Sequence, residues 1–106
     1  MRIQTRSVAL VAILSISAAA SALAENGADT YKAKCQMCHG ATGMADTGAG
    51  KAMKVKPVTD PDVKSMTAAQ MIAITKSGKG KMPAFQGKLT DDQIKAAVDH
   101  YLSLVK

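Results

Sequence analysis

Apolar positions recur at helical spacing in two segments of the 106-residue chain, each behind a start signal. In "MTAAQM", Thr67 can accept a bond from the amide three residues on while Gln70 reaches back, and Met66 and Met71 flank the pair. That is a capping box with a hydrophobic staple, and it predicts a helix from Ala68 to Ser77 that stops at Gly78. "LTDDQI" repeats the device with Thr90, Gln93, Leu89 and Ile94, and Asp91 and Asp92 add negative charge to the first turn, where the helix dipole favours it. From there Ile94, Ala97, Val98, Tyr101, Leu102 and Val105 share one face. His100 falls roughly 130 degrees from the middle of that face at about 100 degrees per residue, which predicts an exposed, solvated side chain.

Upstream, "GADTYKAKCQMCH" reads as a helix from Asp29 or earlier to Cys38, ended by Gly40. Residues 40–64 have no sustained period and are rich in Gly, Lys, Pro and Asp, which predicts a long loop with at most a turn or two of helix, burying little of its own. A loop of this length in a compact domain is expected to serve function, here by wrapping the edge of a cofactor. "GKGKMPAFQGK" makes a second glycine-rich loop between the two capped helices. Three helices with no strand signal predict an all-α domain.

The first residues change the domain picture. Arg2 and Arg6 precede an apolar, small-residue run from Val8 to Ala20, and "SALAEN" places Ala22 and Ala24 in the small positions before a cut. This predicts a signal peptide over residues 1–24. The run is too short for a membrane span, which takes about 20 residues. The mature domain, residues 25–106, is therefore expected to be soluble and exported to the periplasm, with no membrane span after cleavage. Cleavage removes Arg2 and Arg6 from fourteen basic residues and none of the eight acids, leaving 82 residues with a net charge of +4. So small a domain buries a limited core and usually adds disulfides or a bound metal. Here there are only two cysteines, and the aromatics are Tyr31, Phe85 and Tyr101.

Both cysteines lie in "CQMCH", with Cys35, Cys38 and His39 in the spacing that attaches a c-type haem. A flat apolar macrocycle would also fill the interior that so few large side chains leave open. Three other readings weigh less. A redox-active dithiol belongs in a strand-to-helix turn with an activated thiolate, and no strand precedes Cys35. A structural zinc site needs four ligands, and the fourth would have to be the distant His100. A plain disulfide would close a loop too small to stabilise much. Of the seven methionines, Met82 lies outside any helical stripe, in a loop where Pro83 fixes the backbone just after it. A thioether 43 residues after His39 can come round to the opposite face of a haem. Met44 is too near, since five residues span at most about 18 Å; Met53 has the reach and is the second choice.

"CQMCHG", a Gly- and Lys-rich loop, "GKGKMPAF" and a final amphipathic helix ending "VDHYLSL" resemble a small bacterial class I c-type cytochrome, over essentially all of residues 25–106. The resemblance implies a single cytochrome c-like domain of about three to four helices wrapped round one covalently bound haem c. It implies thioethers from Cys35 and Cys38, His39 as proximal iron ligand and Met82 as distal ligand. It also implies that the first and last helices cross, with Gly27 and Tyr31 against Tyr101. The chain departs from the pattern in having no tryptophan, and Pro57 is a weak candidate for the carbonyl that holds the proximal imidazole.

Six strong ligands leave iron no open site, and a thioether favours the ferrous state. The expected function is therefore a periplasmic one-electron carrier that is not itself an enzyme. The alternatives are an electron-accepting subunit of a larger dehydrogenase or oxidase, and a gas-binding or peroxidatic haem protein. Expected partners are redox proteins with acidic docking surfaces, met by Lys51, Lys54, Lys56, Lys79, Lys81 and Lys88; no nucleic acid is expected, and the chain is expected to be a monomer.

Overall fold

The structure is a computed structural model, and it describes residues 26–105. The expected leader at residues 1–24 lies outside the described residues. Six helices follow one another: α1 Gly27–Lys34, α2 Gln36–His39, α3 Gly48–Ala52, α4 Pro61–Lys64, α5 Ala68–Ser77 and α6 Asp91–Ser103. No strand occurs among the described residues, only isolated bridges at Lys79–Met82 and Gln86–Leu89. The all-α expectation therefore holds.

Local sequence explains the helix starts. Both capping boxes are closed on both sides: Thr67 Oγ1 accepts from Gln70 N at 3.1 Å while Thr67 N donates to Gln70 Oε1 at 2.9 Å, and Thr90 and Gln93 repeat this at 3.1 and 2.8 Å. α5 and α6 begin and α5 ends where the sequence predicts. The first helix starts at Gly27, within the expected range, where Asn26 caps the Ala28 and Asp29 amides. It departs from expectation in breaking at Cys35, whose φ of −116° separates α1 from the short α2.

α1 crosses α6, and α6 also packs on α5. The crossing is close because Gly27 lacks a side chain: a Cβ there would overlap the Ala96 carbonyl oxygen. Gly27 thus meets Ala96, while Tyr31, four residues on, stacks at 6.1 Å on Tyr101. Two expectations are corrected here. His100 is half-buried rather than solvated, its ring 5.0 Å from that of Tyr31. A face counted from α6 alone could not include the width of Tyr31, which covers two neighbouring positions of the helix at once. The segment 40–64 also buries more than expected: Val58 is 1% and Ala45 6% exposed. Val58 N donates to Gly43 O at 2.8 Å, and the valine lies over Gly43 beside Leu104.

Candidate functional site

α1, α2 and their junction set three of the expected site residues on one turn. Cys35 and Cys38 are free thiols and half-buried, and His39 is half-buried with them, whereas Met37 between the cysteines is 76% exposed. The motif thus turns its chemistry inward and its spacer outward. Burial pushes the Cys35 thiol up to about 11, the opposite of the lowered value a dithiol oxidoreductase needs. Among the described residues no three His, Cys, Asp or Glu side chains gather as metal donors, so the geometry does not build the zinc alternative.

The His39 ring sits edge-on to Tyr101, centroids 5.3 Å apart and planes at 63°. Burial lowers its basicity, which favours the neutral form whose nitrogen lone pair can bind a metal. Nδ1 is buried and has no hydrogen-bond partner. Pro57 does not supply one: its carbonyl accepts from Asp60 N at 2.9 Å instead. Backbone bonds fix the turn around the ring. His39 O accepts from Ala45 N at 2.8 Å, Gly40 N donates to Gln36 O at 2.8 Å, and Gly40, at φ 80°, closes α2. Tyr31 then donates its hydroxyl proton to Gly40 O at 2.6 Å in a buried bond. Sequence reasoning placed the Tyr31 ring but missed this bond; a buried tyrosine hydroxyl usually requires a partner, and that was the available signal.

Met82 is half-buried on a separate support, residues 78–89. Lys79 and Met82 exchange backbone bonds at 3.1 and 3.0 Å, Phe85 N donates to Thr75 O at 3.0 Å, and Gln86 N donates to Lys76 O at 3.2 Å. The loop is therefore closed on itself at Lys79 and Met82 and tied to the end of α5 at Phe85 and Gln86. The other methionines differ: Met44 is 44% exposed with its sulfur accepting from the Thr59 hydroxyl at 3.9 Å, and Met53, 43% exposed, ends α3.

Comparison with known proteins decides the family. A family model described as cytochrome c oxidase, cbb3-type, subunit III matches residues 22–100. A cytochrome c6 from Leptolyngbya boryana is 36% identical over 76 residues, 72% of this chain and 86% of that protein. A cytochrome c-551 from Halorhodospira halochloris is 33% identical over 72 residues, 68% of this chain and 84% of that protein. The chain belongs to this family of c-type cytochromes. In structure it resembles a c-type cytochrome, KustC0563, with a TM-score of 0.69 at 25% identity, over 76% of this chain and 99% of that one.

As a c-type cytochrome the protein carries covalently bound haem c with its iron. The residues present fit that group. Two free thiols three positions apart stand beside an imidazole whose Nδ1 is the buried, unpaired nitrogen, leaving Nε2 for a ligand. Among the described residues seven hydrophobic side chains are buried, Tyr31, Ala45, Val58, Met71, Ile94, Ala97 and Val98, while Val55, Met82, Phe85, Tyr101 and Leu102 stay half-buried. Apolar side chains left half-covered by their own fold are what a macrocycle would cover. No helix among the described residues is long and apolar enough to cross a membrane.

Proposed function

We propose that this cytochrome is a periplasmic one-electron carrier whose haem is attached through Cys35 and Cys38 and ligated axially by His39 and Met82. When bound, the haem supplies an iron centre that alternates between ferric and ferrous. The chain's own residues determine how that centre is held. α2 and its N-cap Cys35 present the two thiols and the imidazole from one turn, Tyr101 limits rotation of the His39 ring, and the bridged loop carries the Met82 thioether. Six-coordination would leave no position for a substrate, and a thioether with a dry surround favours the less charged ferrous state.

The observation that carries the reading is the shared turn of Cys35, Cys38 and His39, inward while Met37 faces out. An anaerobic redox titration of the holoprotein followed by visible spectra, repeated under carbon monoxide, tests it. A reversible one-electron couple with no carbon monoxide adduct is expected; an adduct in the native ferrous protein would instead mark an open gas-binding or peroxidatic site. Export is supported by the leader-like residues 1–24 and is checked by N-terminal sequencing of periplasmic protein, which should begin at Glu25.

The description of the matching family favours a second reading, an electron-accepting subunit of a larger oxidase. Purification of the native protein separates the two: a free monomer supports the carrier, and stable co-purification with a larger haem protein supports the subunit.

A further inference from the structure

Tyr31 is 2% exposed, yet its role in the α1–α6 crossing needs only a ring. Its hydroxyl reaches past the crossing to Gly40, the residue immediately after His39. There it meets a carbonyl whose other donor, the Gly43 amide, lies at 3.2 Å, longer than the 2.6 Å of the hydroxyl bond. Gly40 is also the point where the chain leaves α2 at positive φ, so the orientation of its peptide and the direction of α2 are set together. The same tyrosine ring stacks on Tyr101, and Tyr101 is edge-on to His39. Tyr31 therefore holds the His39 segment from two sides, through the backbone just after it and through the ring beside it. With Nδ1 of His39 unpaired, no side-chain hydrogen bond fixes the imidazole at that atom.

We propose that Tyr31 is a positioning residue for the proximal imidazole, its hydroxyl bond to Gly40 O setting how α2 presents His39 to the haem iron. This rests on the reading of His39 as an axial ligand. A donor at Gly40 O resists rotation of the peptide that links Gly40 to Ala41, one residue past His39, and keeps water out of the turn. Without it, a buried carbonyl loses its shorter bond, and the turn relaxes toward a hydrated arrangement. Hydration at the proximal side favours the more charged ferric state.

The test uses ferric holoprotein with nitrogen-15-labelled histidine, read by paramagnetic NMR together with the redox potential. Three variants are compared with the wild type: Tyr31→Phe, which keeps the ring; 4-aminophenylalanine at position 31, which keeps ring and donor; and Thr90→Ala, which destabilises α6 at its far cap. The wild type should show iron-shifted His39 ring signals. Tyr31→Phe should displace those signals and lower the potential, the amino analogue should restore both, and Thr90→Ala should move neither. Absence of shifted His39 signals in the wild type would overturn the ligand reading itself. Shifted wild-type signals that Tyr31→Phe leaves in place, with an unchanged potential, would overturn the positioning role alone. So would an equal displacement in Thr90→Ala, or a Tyr31→Phe protein that cannot fold, since either makes the hydroxyl a general support of the fold.

Discussion

Gly27 and Ala96 touch backbone to backbone, with no room between them for even a methyl group. That contact sets the distance at which α1 crosses α6 and so how Tyr31 meets Tyr101 and His100. Gly27→Val must push the helices apart or strain both. Overpacking of this kind costs about 1–3 kcal/mol. Thermal melts of the holoprotein should show that loss, while Gly48→Ala, where a Cβ meets open space, should melt like the wild type.

Covalent attachment through Cys35 and Cys38 predicts that acid-acetone leaves the colour on the polypeptide. A host able to mature exported c-type cytochromes supplies the protein for this extraction. Each single Cys→Ala variant should keep one linkage, and its ferrous spectrum should shift toward that of a haem with one free vinyl group. Haem recovered in the organic phase from the wild type would refute attachment.

Met82 as distal ligand predicts that Met82→Ala admits carbon monoxide and lowers the potential, because a soft donor to ferrous iron is lost. Met53→Ala should do neither. Met53 ends a separate short helix and is 43% exposed, whereas Met82 is half-buried on a loop pinned to α5. The reverse pattern would transfer the role to Met53.

Charge around this loop should speak in kinetics. Lys79, Lys81 and Lys88 are exposed near Met82, and Lys51 and Lys54 are exposed on and after α3. Lys56 is exposed as well but is ion-paired to Asp62 at 2.6 Å, which makes it the weakest contributor. Complementary charge raises encounter rates and is screened by salt. Electron transfer to an acidic partner should slow as ionic strength rises, and Lys79→Gln/Lys81→Gln should flatten that dependence more than Lys56→Gln. A rate indifferent to salt would leave the lysines without a docking role.

How far the sequence disclosed all this followed the range of each interaction. Both capping boxes were legible because donor and acceptor lie three residues apart. The Cys35–Cys38–His39 turn was legible because one helical turn contains it. Long-range contacts were not: His39 meets Tyr101 across 62 positions, and His100 is covered by a tyrosine on another helix. α3 and α4 fit the turn or two of helix expected within residues 40–64, but their positions were hidden for a different reason. Each is shorter than the window in which a period shows, and each is held by its own cap, Thr47 for α3 and Asp60 for α4. The bond from Tyr31 to Gly40 fell between these cases, nine residues apart and visible only once the chain turns at Gly40.

Removal of haem should cost this cytochrome its cooperative fold. The α1–α6 crossing and the Val58–Gly43 contact give the chain some core of its own, and burying a large apolar side chain contributes about 1.5–3 kcal/mol. Yet among the described residues Ile94, Tyr31 and Val58 are the largest side chains that are fully buried, and residues 78–89 bury none. Val55, Met82, Phe85 and Leu102 are only half-buried and keep apolar surface that a prosthetic group would cover. The segment carrying Met82 is tied to α5 by backbone bonds but has no fully buried side chain to hold it against the His39 turn. α5 and α6 should persist in part, because each capping interaction contributes about 1 kcal/mol. Cys35→Ala/Cys38→Ala protein prepared free of haem is therefore expected to show reduced far-ultraviolet helicity and no sharp thermal transition. Native helix content with a cooperative melt would mean that the α1–α6 crossing alone organises the chain, and that haem enters a preformed fold.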